Sequence, residues 1–118
     1  MNESPQTVPE HFRKRRFERY RYDVRLDIAV FREGETILLW GRTNEVGEDG
    51  VGATVTGLLN SGEVVSVEFP IPIAPMVMKL RAIVRYSDGL RCGFEFLVVT
   101  AQQRETMRQL CESLAMAS

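Results

Sequence analysis

The feature of this sequence that most constrains its fold is a strict alternation of apolar and charged residues between Tyr20 and Val30. Leu26 and Ile28 alternate there with Arg25 and Asp27. A period of two is typical of a β-strand with one buried and one wet face. Strand-like segments return at residues 36–43, 51–59, 63–69, 78–86 and 90–96. Six short strands separated by turns predict an antiparallel barrel or sandwich.

The hydrophobic period changes near the end of the chain. Between residues 100 and 115 the apolar positions follow the spacing of a helix with one apolar face. These positions are Met107, Leu110, Cys111 and Leu114. Thr100 and Gln103 have the spacing of a capping box at the helix N-terminus. The sequence therefore predicts a C-terminal helix that covers one end or face of the sheet.

The chain is long enough for one ordinary domain, with 118 residues of which 44% are hydrophobic. Residues 1–12 are mostly polar and are predicted to form a flexible lead-in, and residues 13–118 a single domain. Three prolines, Pro70, Pro72 and Pro75, predict an irregular connection after the fourth strand-like segment, because proline interrupts strand pairing.

The compartment is predicted from what the sequence lacks. It has no secretory signal pattern and no apolar run of the roughly 18 residues that a membrane span needs. Cys92 and Cys111 form neither a CxxC pair nor a disulfide framework. A reducing cytoplasm is the expected location.

Residue types that carry catalysis are sparse. His11 is the single histidine of the sequence, and no cluster with metal-ligand spacing surrounds it. Phosphate-binding glycine motifs are missing as well. Glu45, Glu48 and Asp49 could form an acid/base pair, although acids in a turn more often face water. We therefore expect no enzyme, no catalytic residue, no metal site and no cofactor.

The formal net charge of −1 hides an asymmetry. The segment from Glu10 to Arg25 carries a net charge of +4, which leaves the remainder mildly acidic. Six of the seven cations in this segment are arginines. Arginine presents a planar fork that binds phosphate or a guanine edge with two parallel hydrogen bonds. The pattern favours an anionic ligand over a merely solvated tail.

A family resemblance rests on the order of four features. Arg15 and Arg19 fill an RxxxR pattern before the first strand, and a glycine-rich turn runs from Glu45 to Gly52. Gly93-Phe94-Glu95-Phe96 and the C-terminal helix follow. In this order the features resemble the PilZ domain, the bacterial receptor module for cyclic di-GMP, over residues 13–115. The resemblance implies an all-β-dominated fold, a six-stranded antiparallel PilZ-like β-barrel with one C-terminal α-helix.

The same resemblance implies a ligand, a site and a partner. Cyclic di-GMP is a dianion with two guanines, and both its phosphates and its base edges match guanidinium forks. The implied ligand-binding residues are Arg15, Arg16, Arg19, Glu45, Gly47 and Gly50. Binding would neutralise the arginine segment and fold it onto the barrel, and a downstream partner protein would recognise the change.

The glycine-rich turn departs from the family pattern [D/N]xSxxG. Aligned on Gly50, the chain has Glu45 where the family has Asp or Asn, and Gly47 where it has Ser. Glu45 keeps a carboxylate, whereas Gly47 lacks a hydroxyl that could bond the ligand. A second RxxxR, from Arg21 to Arg25, lies within the predicted first strand and ranks below the first pair.

Two alternatives stay open. A degenerate PilZ-like adaptor would bind protein partners without nucleotide, and the altered turn supports it. A small barrel binding single-stranded nucleic acid would use the basic, aromatic-interleaved stretch from Phe12 to Tyr20, but the acidic body disfavours a long polyanion. The aromatic residues Tyr20, Tyr22, Trp40, Phe94 and Phe96 are expected in the core rather than as ligand platforms.

Overall fold

The computed structural model describes residues 17–73 and 75–117. The predicted lead-in, residues 1–12, lies outside the described residues, as do Arg15 and Arg16 of the predicted site. The described residues form a barrel and a C-terminal helix.

Within the described residues, seven strands and one helix follow one another. They are β1 (Tyr20–Arg21), β2 (Arg25–Arg32), β3 (Glu35–Gly47), β4 (Gly50–Val55), β5 (Val64–Ile71), β6 (Met76–Asp88), β7 (Arg91–Phe96) and α1 (Ala101–Ala117). The sheet order is β1-β3-β2-β5-β6-β7-β4, and β4 also pairs with β3. This last pairing closes β2 to β7 into the predicted six-stranded antiparallel barrel, with the two-residue β1 added beside the end of β3.

The alternation predicted for the first strand separates buried from exposed side chains, as expected. Leu26, Ile28 and Val30 of β2 are at most 1% exposed and fill the barrel interior. The turn after β2 uses Glu33 and Gly34, both with positive φ. Glycine adopts that conformation without steric cost, so a two-residue connection between β2 and β3 is favoured there.

Helix α1 confirms the prediction made from the change of period. Thr100 Oγ1 accepts a hydrogen bond from the Gln103 amide at 3.1 Å, and Gln103 Oε1 accepts one from the Thr100 amide at 3.0 Å. Gln103 Nε2 also donates to the Lys79 carbonyl, which ties the start of α1 to β6. Leu110 and Cys111 are buried on the face that packs against the barrel.

The prediction of one continuous first strand was wrong. The strand breaks between β1 and β2 because the Thr43 hydroxyl inserts into the backbone ladder. This hydroxyl accepts a hydrogen bond from the Val24 amide at 2.9 Å and donates to the Tyr22 carbonyl. Nearby, β3 has a register shift between Thr43 and Glu45 in its pairing with β4. A bulge of this kind bends a strand and interrupts regular pairing.

The expectation that Pro70 interrupts pairing was also wrong. Pro70 lies within β5 and pairs with Val77 of β6. It falls beyond the segment of β5, Val65 to Glu68, that pairs with β2. A sheet tolerates the missing amide of proline where pairing on one side has ended. Pro70 also supplies the carbonyl that accepts the hydroxyl of Tyr22, at 2.6 Å.

The aromatic prediction was right for three residues and wrong for one. Tyr22, Phe94 and Phe96 are buried, and Tyr20 is half-buried. Trp40 instead faces outward and is 44% exposed, with the guanidinium of Arg25 4.5 Å from its ring centroid. Trp40 pairs opposite Asp27, on the wet face of β2. Trp40 lies in a run of apolar residues, and such a run does not indicate which side chains face outward.

Candidate ligand-binding site

The β3–β4 hairpin builds the frame of the site. Val46 pairs with Val51, and both are fully buried, so they anchor the hairpin to the core. Gly47 then pairs with Gly50, and the two acidic residues between the strands form the turn. The turn predicted from the glycine pattern is therefore confirmed, with Glu48 and Asp49 at its tip.

Arg19 reaches this turn from the neighbouring strand. Tyr20 of β1 pairs with Val46, which brings the preceding residue, Arg19, beside Gly47. A Cβ atom added to Gly47 would lie 2.9 Å from the Arg19 Cδ and 3.1 Å from its Nε. Because Gly47 has no side chain, the aliphatic stem of Arg19 packs directly against the backbone at this position.

The guanidinium of Arg19 is paired with the turn, but loosely. Its Nη2 lies 3.3 Å from the Asp49 Oδ1, and the Arg19 side chain is 18% exposed. Its Nε is buried and has no hydrogen-bond partner within residues 17–73 and 75–117. An unsatisfied donor on a cation withdrawn from water is costly. Arg19 is thus a cation whose hydrogen-bonding capacity is only partly used by the described chain.

The barrel itself requires a glycine at position 50. A Cβ at this position would collide with the carbonyl oxygen of Phe94, because β4 and β7 approach each other closely there. Neither Gly47 nor Gly50 has a positive φ. Both glycines therefore serve close approach rather than an unusual turn conformation, and Gly50 is needed by the barrel whether or not a ligand binds.

Glu45 lies on the same side of β3 as Gly47, because residues two apart on a strand share a face. Its side chain extends across Gly52 of β4, with the Cγ 3.2 Å from where a glycine Cβ would be. The structure therefore brings four of the six predicted residues, Arg19, Glu45, Gly47 and Gly50, to one end of the β3–β4 hairpin.

Helix α1 borders the same region, which the sequence did not predict. Burial, with smaller contributions from the Glu48 and Asp49 carboxylates and an opposing one from Arg19, raises the pKa of the Cys111 thiol to about 11. Helix α1 contacts β1 and β3, so its Cys111 thiol lies within electrostatic range of both the turn and the arginine. Cys111 itself was predicted to be a small core residue, and its burial confirms that.

Asp49 is the residue that sequence reasoning missed. It was interpreted as a turn acid facing water, but it is the carboxylate paired with Arg19. The main-chain carbonyl of Asp49 also accepts a hydrogen bond from the Phe96 amide at 2.9 Å, which fixes the turn to the end of β7. The two-residue spacing of the hairpin was the available signal for two acids at its tip, whereas the contact with Arg19, which precedes β1, depends on the register of β1 against β3.

In the parts that the structure describes, no group of three or more histidine, cysteine or acidic side chains is arranged to hold a metal ion. Within these same residues, no helix combines the length and the apolar character that crossing a bilayer requires.

A small closed antiparallel barrel with an arginine resting on the rim of one hairpin defines a class of compact β-barrel binding modules. A family model described as "PilZ domain" matches residues 13–113. The chain therefore belongs to the PilZ domain family, whose members are regulatory binding modules. A comparison with curated proteins found no match.

Solved structures share this fold at low sequence identity. The PilZ domain of CeSA from a cellulose-synthesizing bacterium is 17% identical, with a TM-score of 0.65 over 83% of this chain and 98% of that chain. The PilZ domain with c-di-GMP of YcgR from Escherichia coli is 18% identical, with a TM-score of 0.67 over 89% of this chain and 94% of that one. The Bacillus subtilis inhibitor of motility, MotI/DgrA, is 17% identical, with a TM-score of 0.70 over 94% of this chain and 57% of that one.

Proposed function

We propose that this chain is a cyclic di-GMP receptor domain that binds the dinucleotide at the rim of the β3–β4 hairpin. The observation that carries the proposal is the position of Arg19, which rests on Gly47 beside the turn with hydrogen-bonding capacity to spare. Membership of the PilZ family supports it. The YcgR PilZ domain, which has the same fold, was solved with c-di-GMP.

The chemistry of binding follows from the residue types. The guanidinium forks of Arg15, Arg16 and Arg19 match phosphate oxygens and the O6 and N7 acceptors of guanine. The carboxylate of Glu45 can accept hydrogen bonds from the N1 and N2 donors of a guanine. Gly47, with no side chain, lets the Arg19 stem pack closely against the backbone, which holds the guanidinium at the rim.

The proposed output is a change in the N-terminal arginine segment. Its clustered positive charges repel one another, and a bound dianion neutralises them. Binding thereby favours docking of the segment against the barrel, and a partner protein would recognise the docked form. The cytoplasm is the compartment in which we expect the domain to act.

Calorimetric titration with cyclic di-GMP tests the proposal. The wild-type chain should bind, and Arg19→Gln should weaken binding by about 100-fold or more, because a charge-assisted contact to a dianion is lost. Arg15→Gln should have a comparable effect. Arg25→Gln is the matched control, because Arg25 is exposed, forms an ion pair with Asp27 and lies over the ring of Trp40.

Two results would reject this function. One is no binding by the wild-type chain, and the other is equal affinity in the wild type and Arg19→Gln. The first result would favour the adaptor that binds proteins without nucleotide, and the second would mean that the nucleotide binds away from Arg19. One observation supports the adaptor: Phe31 and Leu38 are 70% and 75% exposed on the outer face of β2 and β3, beside Trp40. Exposed apolar surface of this kind often marks a protein interface.

A further inference from the structure

The carboxylate of Asp49 is paired with Arg19, the cation that the proposed ligand needs. The contact between Arg19 Nη2 and Asp49 Oδ1 measures 3.3 Å, longer than a good charge-assisted hydrogen bond. The Oδ1 atom is buried and, like Arg19 Nε, has no hydrogen-bond partner among the described residues. The two charges therefore neutralise each other without satisfying each other's hydrogen bonds.

Such a pair is easily replaced by a better anion. Withdrawing two charges from water is costly, and poor hydrogen-bond geometry recovers little of that cost. A phosphate can accept two parallel hydrogen bonds from one guanidinium, including one from the Nε that Asp49 leaves unused. Arg19 would thus gain hydrogen bonds by exchanging the carboxylate for a phosphate.

The backbone of the turn is held in place, whereas the Asp49 side chain has solvent on one side. The Asp49 carbonyl accepts the Phe96 amide at 2.9 Å, so the hairpin tip is anchored to β7. The Asp49 side chain is 34% exposed, which leaves solvent on one side of it. A rotation of this side chain is therefore enough to release Arg19, without rearrangement of the barrel.

We propose that Asp49 is an internal competitor for the dinucleotide phosphate at Arg19 and lowers the affinity of the site for cyclic di-GMP. This inference rests on the proposed function. The apparent affinity equals the intrinsic affinity multiplied by the fraction of molecules in which Arg19 is released. Asp49 therefore sets the ligand concentration at which the domain responds.

The test compares three full-length chains by calorimetric titration with cyclic di-GMP at one ionic strength. Asp49→Asn keeps the shape of the side chain and removes its charge, and it should tighten binding about 5- to 30-fold. Glu48→Gln is the matched control, because it removes the same charge from the same turn and Asp49 is the turn acid that pairs with Arg19. Glu48→Gln should change affinity by less than about 3-fold, the size of a screened long-range effect.

A double variant isolates the pairing itself. In the Arg19→Gln background, Asp49→Asn should give at most about a 2-fold gain, because the competition requires the arginine. A full gain in that background would show general charge repulsion and overturn the inference. Thermal denaturation of each variant confirms that the barrel is folded before affinities are compared.

The possible outcomes separate this inference from the proposed function. Wild-type binding that depends on Arg19, together with unchanged or weaker binding by Asp49→Asn, overturns the inference and leaves the function standing. Equal gains in Asp49→Asn and Glu48→Gln overturn it in the same way. Binding by Asp49→Asn without measurable binding by the wild type supports competition by Asp49 and rejects the receptor function of the wild-type chain. No binding by any of the chains rejects the proposed function, and the inference with it.

Discussion

Two arginine–carboxylate pairs in this barrel have the same charges and different hydrogen bonding. Arg32 makes a two-pronged contact with Glu63, with Nε–Oε2 and Nη2–Oε1 distances of 2.7 and 2.8 Å. The same Nη2 donates to a backbone carbonyl at 3.0 Å, and Glu63 accepts a backbone amide at 2.8 Å. Arg19 has a single 3.3 Å contact with Asp49 and an unpartnered Nε within the described residues.

The difference follows from where each arginine lies. Arg32 ends β2 and reaches Leu58 and Glu63 in and beside the loop that enters β5, so its hydrogen bonds join two parts of the chain. Arg19 lies against Gly47 at a hairpin rim, where the aliphatic stem is packed but the guanidinium has poor partners. A satisfied arginine stabilises the fold, whereas a partly satisfied one retains hydrogen-bonding capacity for a ligand.

The most decisive test of this difference is to replace each arginine in turn. Arg32→Gln should lower the melting temperature by about 2–5 °C and leave cyclic di-GMP affinity unchanged within 2-fold or so. Arg19→Gln should have the opposite profile, with affinity reduced about 100-fold and the melting temperature unchanged or raised. Thermal denaturation and calorimetric titration on the same samples check both halves.

The comparison fails if the two profiles coincide. A large loss of stability in Arg19→Gln would make Arg19 a structural residue, and its loss of affinity would then be secondary. A loss of affinity in Arg32→Gln would mean that the loop before β5 influences the site.

Gly47 offers a smaller and sharper test. Any side chain here would push the Arg19 stem away, because the added Cβ would lie 2.9 Å from the Arg19 Cδ and 3.0 Å from the Glu18 carbonyl oxygen. Gly47→Ser restores the residue type of the family pattern and should tighten binding. Its hydroxyl adds a hydrogen bond to the ligand, and this gain should outweigh the displacement of the Arg19 stem.

Gly47→Ala separates the two contributions, since alanine displaces the stem without adding a hydroxyl. We expect Gly47→Ser to bind cyclic di-GMP about 5- to 10-fold more tightly than Gly47→Ala, the value of one good hydrogen bond. Equal affinities in titrations of the two variants would mean that position 47 does not meet the ligand, and the alignment on Gly50 would then be wrong.

Most of the barrel could be predicted because its determinants are local. The alternation in β2, the positive-φ turn at Glu33 and Gly34, and the capping box at Thr100 each depend on residues within a few positions of one another. The break after Arg21 was not predictable in this way. It depends on the Thr43 hydroxyl, which belongs to another strand and reaches its place only when β3 has paired.

The candidate site could be predicted in part, and for the same reason. The spacing of the turn glycines placed Gly47 and Gly50 correctly at the hairpin, but the sequence did not show that Arg19 rests on one of them. The pairing of Arg19 with Asp49 depends on the register of β1 against β3, which joins residues 26 positions apart. The prediction for Trp40 failed for a similar reason, because the outward direction of its side chain follows from its pairing with Asp27 on the neighbouring strand.

The smallest expected effect concerns the pH dependence of the Arg32–Glu63 pair. The hydrogen bond from Arg32 lowers the pKa of Glu63 below its ordinary value, with burial opposing the shift and the Asn60 amide adding to it. A carboxyl group whose pKa is lowered on folding binds protons more readily in the unfolded chain. Its contribution to stability is therefore fully present above the ordinary value of 4.5 and is lost as the pH falls through the lower, folded value.

The melting temperatures of the wild type and Glu63→Gln, measured from pH 7 down to pH 3 or so, test this sign. The wild type should be more stable by about 2–5 °C near neutral pH, and the difference should narrow as the solution is acidified below the ordinary carboxyl pKa. Asp27→Asn is the control, because its pair with Arg25 is half exposed on both sides and should contribute little at any pH. A difference that stays constant or widens on acidification would mean that Glu63 stabilises the barrel through packing rather than through its charge. The contrast between the two arginine pairs would then rest on Arg19 alone.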